Sequence, residues 1–356
     1  MNPAITVVIP VYNAEQTIMR TLSSIQAQTV GDLEIRVVDD GSQDATAAIV
    51  EGVRAQDSRV VCLRQANAGV AAARNTGMEG ARGRFTAFCD GDDIWHPQKL
   101  ERQIAALEAD PGAGLCYSWY RRIDAHDCVL PVSPAPRIEG AVLYRHLEWN
   151  FISNGSTVLV PTPLARRTGF EPALRDAGNQ GCEDYLFQLR IAQAHRFVCV
   201  PAYLVGYRMN AQSMSRGVDR MIRSHLQTYA IMEESLPADR AVAKILARRR
   251  AKLLVELFRN RVRRADLPAA VAALAGALRA APRLVPGFVM EELREGMARS
   301  GRARTDAGDN VPPPLRPFQD FGPEEPDGSW RSRRSPAYLA WLGELDAAQQ
   351  PAAVPV

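Results

Sequence analysis

Lysine is almost missing from this chain. Of its 43 basic side chains only Lys99, Lys244 and Lys252 are lysines, and the rest are arginines, which reads as coding bias. A net charge of +3 over 356 residues is too small to argue for a nucleic-acid partner. The six cysteines, at 62, 89, 116, 128, 182 and 199, contain no Cys-x-x-Cys spacing. Several lie inside apolar runs, where cysteine behaves as a small hydrophobe, and a reducing cytosol is the expected compartment. No stretch is long enough to span a bilayer, since the longest apolar run, Leu267 to Leu278, is short and Ala-rich. The N-terminus runs straight into a strand-like segment, so no signal peptide is expected. No G-x-G-x-x-G follows the first apolar segment, which speaks against a Rossmann dehydrogenase. Nor is there a Gly-rich, Arg- or Lys-bearing loop there to cradle a triphosphate, as a sugar nucleotidyltransferase would need.

Among the features present, the run Phe85 to Cys89 stands out because it ends in Asp90-Gly91-Asp92-Asp93. Like charges repel at close range, so carboxylates gathered at the end of a buried strand call for a reason. A divalent cation is the simplest one, because Mg²⁺ and Mn²⁺ prefer hard oxygen ligands and are commonly shared with a diphosphate. A solvated turn is the plainer reading of the same three aspartates.

Strand and helix signals alternate through the first half. Ile5 to Ile9, Leu33 to Val38, Arg59 to Leu63 and Phe85 to Cys89 read as buried strands. Between them come a helix capped by Asn13 with Ile18, Leu22 and Ile25 on one face, a helix with Ile49 and Val53 inward, and a small-residue helix from Gly69 to Ala81. This order implies an α/β fold with a mostly parallel sheet flanked by helices. Ligands of such sheets collect at the carboxyl ends of the strands, where the polar signatures of this chain also fall. Further strands are expected at 114–121, 156–160 and 197–205, and a helix at 183–194. Beyond residue 216 the pattern becomes helical and Arg-rich; from about 301 Pro, Gly, Asp and Arg dominate. The reading is a catalytic domain over 1–215, a helical extension over 216–300 and a mainly irregular tail over 301–356, with a short helix near Pro336 to Ala347.

The ordered set Val8-Ile9-Pro10-Val11-Tyr12-Asn13, Val37-Val38-Asp39-Asp40-Gly41-Ser42, Asn67-Ala68-Gly69, Ala73-Arg74-Asn75, Asp90-Gly91-Asp92-Asp93, Gly169-Phe170, Glu183-Asp184 and Tyr207-Arg208 with Ser213 and Ser215 resembles the family 2 inverting glycosyltransferases of GT-A fold. The resemblance covers roughly residues 1 to 216. It implies a divalent metal (Mn²⁺ or Mg²⁺), a UDP-sugar donor and transfer with inversion to a hydroxyl acceptor in bacterial cell-surface glycan or polysaccharide assembly. No run of membrane-spanning helices follows and no Gln-x-x-Arg-Trp occurs, which speaks against a processive synthase. The competing reading is a catalytically silent binding or scaffold protein of the same fold.

By the same resemblance, Asp92 binds the metal directly and Asp90 contacts the ribose or a metal-bound water. Gly91 would let the backbone approach the nucleotide. Asp40 would accept the N3–H of uracil; a turn aspartate capping the next helix is the alternative. Pro10, Tyr12, Asn67 and Arg74 are placed at the nucleotide. Tyr12 could instead fill the core, and Arg74 could form a structural ion pair with Asp90. Asp93 fits an Asx-turn or helix-capping role as well as ligation, and Trp95 fits plain packing as well as a pocket wall. Asp184 is assigned as the general base and Glu183 as support for the helix start. Arg208 and Ser213 are assigned to the diphosphate. Asn210 stands where many relatives carry histidine, which leaves the metal dependent on the nucleotide for further ligands. Arg248-Arg249-Arg250, beside Ile245, Leu246, Leu253, Leu254, Leu257 and Phe258, could rest peripherally on an anionic membrane or form a solvated face.

Overall fold

The computed structural model of the protein describes residues 3–131, 133–209, 217–236, 239–294, 315–325 and 334–349. These fall into two compact units. The first takes in the described residues up to 177, those of 183–209, and the two C-terminal segments from 315.

In the first unit β1 (Ile5–Val11), α1 (Ile18–Gln26), β2 (Leu33–Asp39), α2 (Thr46–Arg54), β3 (Val60–Arg64), α3 (Val70–Met78) and β4 (Phe85–Phe88) alternate. They are followed by β5 (Ile94–Trp95), α4 (Lys99–Ala109), β6 (Ala113–Ile123), α5 (Leu143–Glu148), β7 (Val158–Pro161), α6 (Thr162–Thr168), α7 (Ala173–Asp176), α8 (Glu183–Ala192) and β8 (Arg196–Arg208). One eight-stranded sheet results, in the order β3-β2-β1-β4-β7-β6-β8-β5. The strands β3 to β4 run parallel, as the βα alternation dictates, and every residue of β1 is buried because both faces are covered. β7 turns the sheet mixed by pairing antiparallel with both β4 and β6, while β6 and β8 are again parallel.

Helix α1 buries Ile18, Leu22 and Ile25 as its periodicity requires, but Asn13 is not its cap. Asn13 sits at φ 50° and its Oδ1 accepts from Gln43 N, so the side chain ties two strand-end loops together. The cap position is Thr17, whose hydroxyl donates to Gly91 O over 2.8 Å.

The segment 315–325 lies along β6 and β8. Val129 N donates to Arg316 O, Phe318 N to Asp127 O and Tyr203 N to Pro323 O. Phe318 packs on Ile123 and Val129. The buried Arg121 guanidinium lies between the rings of Tyr203 and Phe321, at 4.3 and 4.4 Å.

In the second unit, α9 (Val218–Ser235) packs on α10 (Arg240–Arg263), and α10, α11 (Leu267–Ala280) and α12 (285–294) pack around Ala251, Val255, Ala277, Val285 and Phe288. Of the apolar residues named on α10, Ile245, Leu246 and Leu253 are buried and Leu254, Leu257 and Phe258 half-buried, because α10 is packed between α9 and α11. Its charges are also partly spent internally, in the pairs Arg250–Glu233, Lys252–Glu291 and Arg261–Asp219 at 2.6, 2.9 and 2.8 Å. Among the described residues no helix is long and apolar enough to cross a membrane.

The last helix, α13 (Pro336–Ala348), belongs to the first unit. Its buried Asp346 accepts from Tyr144 N and from Arg145 Nε, at 2.7 and 2.5 Å. It thereby supplies the first turn of α5 with the acceptor that α5's own N-terminus lacks.

Candidate active site

The parallel strands deliver their chemistry at one edge. β1 ends at Val11, β2 at Asp39 directly opposite it, and β4 two residues before Asp90. The Asp90–Asp93 loop is held from several sides. Thr17 Oγ1 donates to Gly91 O, Thr21 Oγ1 to Asp93 O, and Asp90 N to Ser156 Oγ over 3.0 Å. Gly91 is needed for packing against the protein itself, since a Cβ there would lie 2.7 Å from Val11 Cγ1.

Asp93 neither caps a helix nor faces solvent. It is fully buried, with Oδ2 accepting from Ser156 Oγ at 2.6 Å and Oδ1 from Arg208 N at 3.0 Å. Burial lifts its carboxyl well above the usual range, and the neighbouring Asp92 and Asp90 lift it further. Trp95 is buried too, under Lys99 Nζ at 3.9 Å from the ring.

Arg74, buried on α3, donates from Nη2 to Asp90 Oδ1 over 2.6 Å. Its Cζ lies 5.1 Å from the Phe170 ring, which stacks on Phe187 with centroids 4.4 Å apart. Asn75 holds this floor in place: Phe170 N donates to Asn75 Oδ1, and Asn75 Nδ2 to Phe170 O. The Ala-Arg-Asn and Gly-Phe signatures, 95 residues apart, are therefore one device for aiming a single guanidinium.

Asp184 opens α8 beside this arginine. A Cβ at Gly155 would sit 3.3 Å from both Arg74 Nη2 and Asp184 Cβ, so the glycine keeps a narrow gap between them open. Burial pushes the Asp184 carboxyl up to about 6; Arg74 opposes this, while Glu183 and Asp90 add to it. A carboxyl poised near neutral pH suits general-base work. Glu183 is buried next to it.

Other expected contacts are placed differently. Both Asp40 oxygens already have donors: Gln65 Nε2 and Ala68 N on Oδ1, Gly69 N on Oδ2, each at 2.8 Å. Asp40 thus shapes the 65–69 loop. Asn67 in that loop accepts from Arg175 Nη2 at 2.5 Å. Tyr12 is 49% exposed, so it fills no core and its ring is available at the strand edge, just past the buried Pro10. Arg208 is only 1% exposed; it donates to Asp92 O and Asp124 O at 2.7 and 2.6 Å and pairs with Asp127. Its guanidinium braces the loop behind Asp92. Ser213 and Asn210 lie outside the described residues.

Asn154, Gly155 and Ser156 were absent from the expectations drawn from sequence. Their one signal was a small polar triplet just before a strand, which most turns share. Among the described residues no group of three or more His, Cys, Asp or Glu could hold a metal by itself. Asp90 and Asp92 supply two carboxylates whose repulsion already shows in Asp93, a donor set that fits Mg²⁺ or Mn²⁺ completed by ligands from a diphosphate.

Residues 6–167 match the family model described as glycosyl transferase family 2. The chain is 41% identical over 225 residues to the uncharacterized glycosyltransferase EpsJ of Bacillus subtilis, covering 60% of this chain and 64% of that one. It is 44% identical over 104 residues to the UDP-Glc:alpha-D-GlcNAc-diphosphoundecaprenol beta-1,3-glucosyltransferase WfgD of Escherichia coli, covering 29% and 40%. The chain spans between about a third and two thirds of the length of such relatives. Among solved structures, S. aureus TarS 1-349 in complex with UDP-GlcNAc superposes with a TM-score of 0.61 at 21% identity, over 82% of this chain and 85% of that one. That likeness extends the family match to the fold of the sheet and its flanking helices. Residues 6–167 are thus a glycosyl transferase family 2 segment, and the sheet with its flanking helices has the GT-A fold.

Proposed function

We propose that this protein transfers a sugar, with inversion and one residue at a time, from a UDP-sugar to a hydroxyl of a growing bacterial glycan. The observation that carries the reading is the Asp90–Arg74–Asp184 cluster, in which a carboxyl raised to about 6 stands beside a loop of aspartates. A UDP donor is supported by the neighbour bound to UDP-GlcNAc and by the UDP-Glc relative, and the glycan setting also by similarity to an amylovoran biosynthesis glycosyltransferase of Erwinia amylovora.

Asp92 and Asp90 would hold a divalent ion, which when bound neutralises charge on the departing diphosphate. The exposed Tyr12 ring and the loop shaped by Asp40 would bound the uracil. Asp184, ionised, would take the acceptor hydroxyl's proton as the oxygen attacks the anomeric carbon from the face opposite the leaving group. Arg74 would hold Asp90 and Asp184 at fixed spacing and balance their charge. Arg208 would act by bracing the Asp92 backbone, with its first assignment, direct diphosphate contact, as the alternative role. Single-turnover transfer with UDP-sugars and a lipid-diphosphate acceptor, with and without Mn²⁺, tests this reading. Release of no UDP under any of these conditions would return the protein to the silent-scaffold class.

A further inference from the structure

The outer face of α11 carries Leu267, Val271 and Leu278, at 62%, 66% and 44% exposure, with Leu284 exposed in the turn that follows. The first three lie within a narrow arc of the helix wheel, beside the buried stripe of Ala270, Ala273 and Ala277, with Leu274 at the margin packed against the core. Large apolar side chains gathered on one exposed helix face are uncommon in a protein surrounded only by water. The charge that frames the face is mainly basic: the exposed Arg263 precedes the helix, Arg279 lies on its last turn and Arg283 follows, while the one acidic neighbour, the capping Asp266, is paired with Arg261 at 2.9 Å. Between 267 and 290 the chain contains no acidic residue at all.

We propose that the α11 face is a docking surface for an anionic lipid bilayer, with the leucines and Val271 entering the headgroup boundary and the arginines meeting lipid phosphates. The framing charge chooses this occupant over a second copy of the chain. A two-fold interface built on this face would bring each arginine set toward its own image, and like charges would repel. An anionic surface meets both the apolar area and the charge. The proposal is independent of the sugar-transfer reading. It places the membrane contact not on α10, whose apolar residues are buried or half-buried, but on its neighbour.

The test is flotation of the full chain with phosphatidylglycerol-containing vesicles and with pure phosphatidylcholine vesicles, over a range of salt. The expected result is binding to the anionic vesicles that weakens steeply with salt. Val271→Glu with Leu278→Glu should abolish it. Arg279→Gln and Arg283→Gln should each weaken it by about fivefold, from the roughly 1 kcal/mol that a basic residue contributes at such a surface. These side chains are exposed, so circular dichroism should report an unchanged fold. Absence of flotation at the lowest salt, or equal binding by the Glu variant, overturns the proposal. So does sedimentation showing an oligomer that the Glu variant dissociates, which would give the face to a second copy.

Discussion

Arg74 Nη2 and Asp90 Oδ1 stand 2.6 Å apart, and the same arginine is the cation that opposes the rise of Asp184. One guanidinium therefore answers to the aspartate loop and to the candidate base. Arg74→Ala should raise the apparent pKa of Asp184 and weaken donor binding together. Arg74→Lys should restore part of the first effect and little of the second, because an ammonium lacks the planar fork. Paired measurements of UDP-sugar affinity and of the pH profile check this; an unmoved profile in Arg74→Ala would uncouple the two sites.

For Asp184 itself the sign of the pH dependence is fixed by the direction of its shift. Its pKa in the fold is about 6, above the roughly 3.9 of a free aspartate. Its contribution to stability is therefore fullest below about pH 4 and is lost as pH rises through 6. Turnover should rise across that same interval as the base ionises. Asp184→Asn should lower single-turnover transfer by about 10² to 10⁴ and leave donor affinity intact. A cation bound at Asp90 removes a charge that raises Asp184, so added Mn²⁺ should move the acid limb to lower pH. A limb that moves upward, or a variant that turns over normally, places the base elsewhere.

Gly155→Ala offers a steric probe. The new methyl would press on both Arg74 and Asp184 at 3.3 Å. Stability should change by only about 1 kcal/mol, as for a modest overpacking, while kcat falls clearly. A fully active, folded variant would show that the spacing of the pair is not critical.

The buried Arg208 separates two readings by stability. As a brace holding Asp92 O, Asp124 O and Asp127, it should cost about 3–5 kcal/mol on replacement by Ala, the usual penalty for breaking a buried pair. A large fall in Tm is expected. Unchanged Tm with lost UDP binding would instead restore the diphosphate role first assigned to it.

Asp40 can be tested in the same way. It satisfies three donors of the 65–69 loop, so Asp40→Ala should cost about 2–3 kcal/mol, more than one ordinary hydrogen bond. Preference for UDP over CDP should fall in parallel as the loop loosens. If selectivity disappears while Tm stays constant, the carboxylate reads the base directly.

The alternation from β1 to β4 was legible because a doubly covered parallel strand is apolar throughout and its end is polar. Asp90, Arg74 and Asp184 could be named from their motifs, and the Arg74–Asp90 pair was open to view as one of two readings, but the approach of Asp184 to that pair was not, since it depends on Phe170 and Gly155 arriving from distant segments. Strand β5 has two residues and exists only because β8, over a hundred residues later, pairs with it. Sequence does not distinguish a buried arginine from a solvated one, so nothing in it foretold that Arg121 and Arg208 would be buried. The apolar residues around Arg248–Arg250 suggested a membrane face on α10 for a similar reason: local pattern does not say which neighbour will cover a helix.

The return of residues 315–325 to β6 sets an order of events during synthesis. The turn at 124–127 that receives Arg208 is itself held by Phe318 N, which donates to Asp127 O, and the strand-like stretch just after it by Arg316 O, which accepts from Val129 N. At the roughly 5–20 residues per second of translation, about 10–40 s separate the emergence of Asp127 from that of Phe318. During that interval the helices of the second unit are made while the aspartate loop waits for its last support. A ribosome-bound chain stalled before 315 should therefore hold a sheet but an unsettled Asp92. The support of Asp92 is thus complete only once the segment 315–325 has been made.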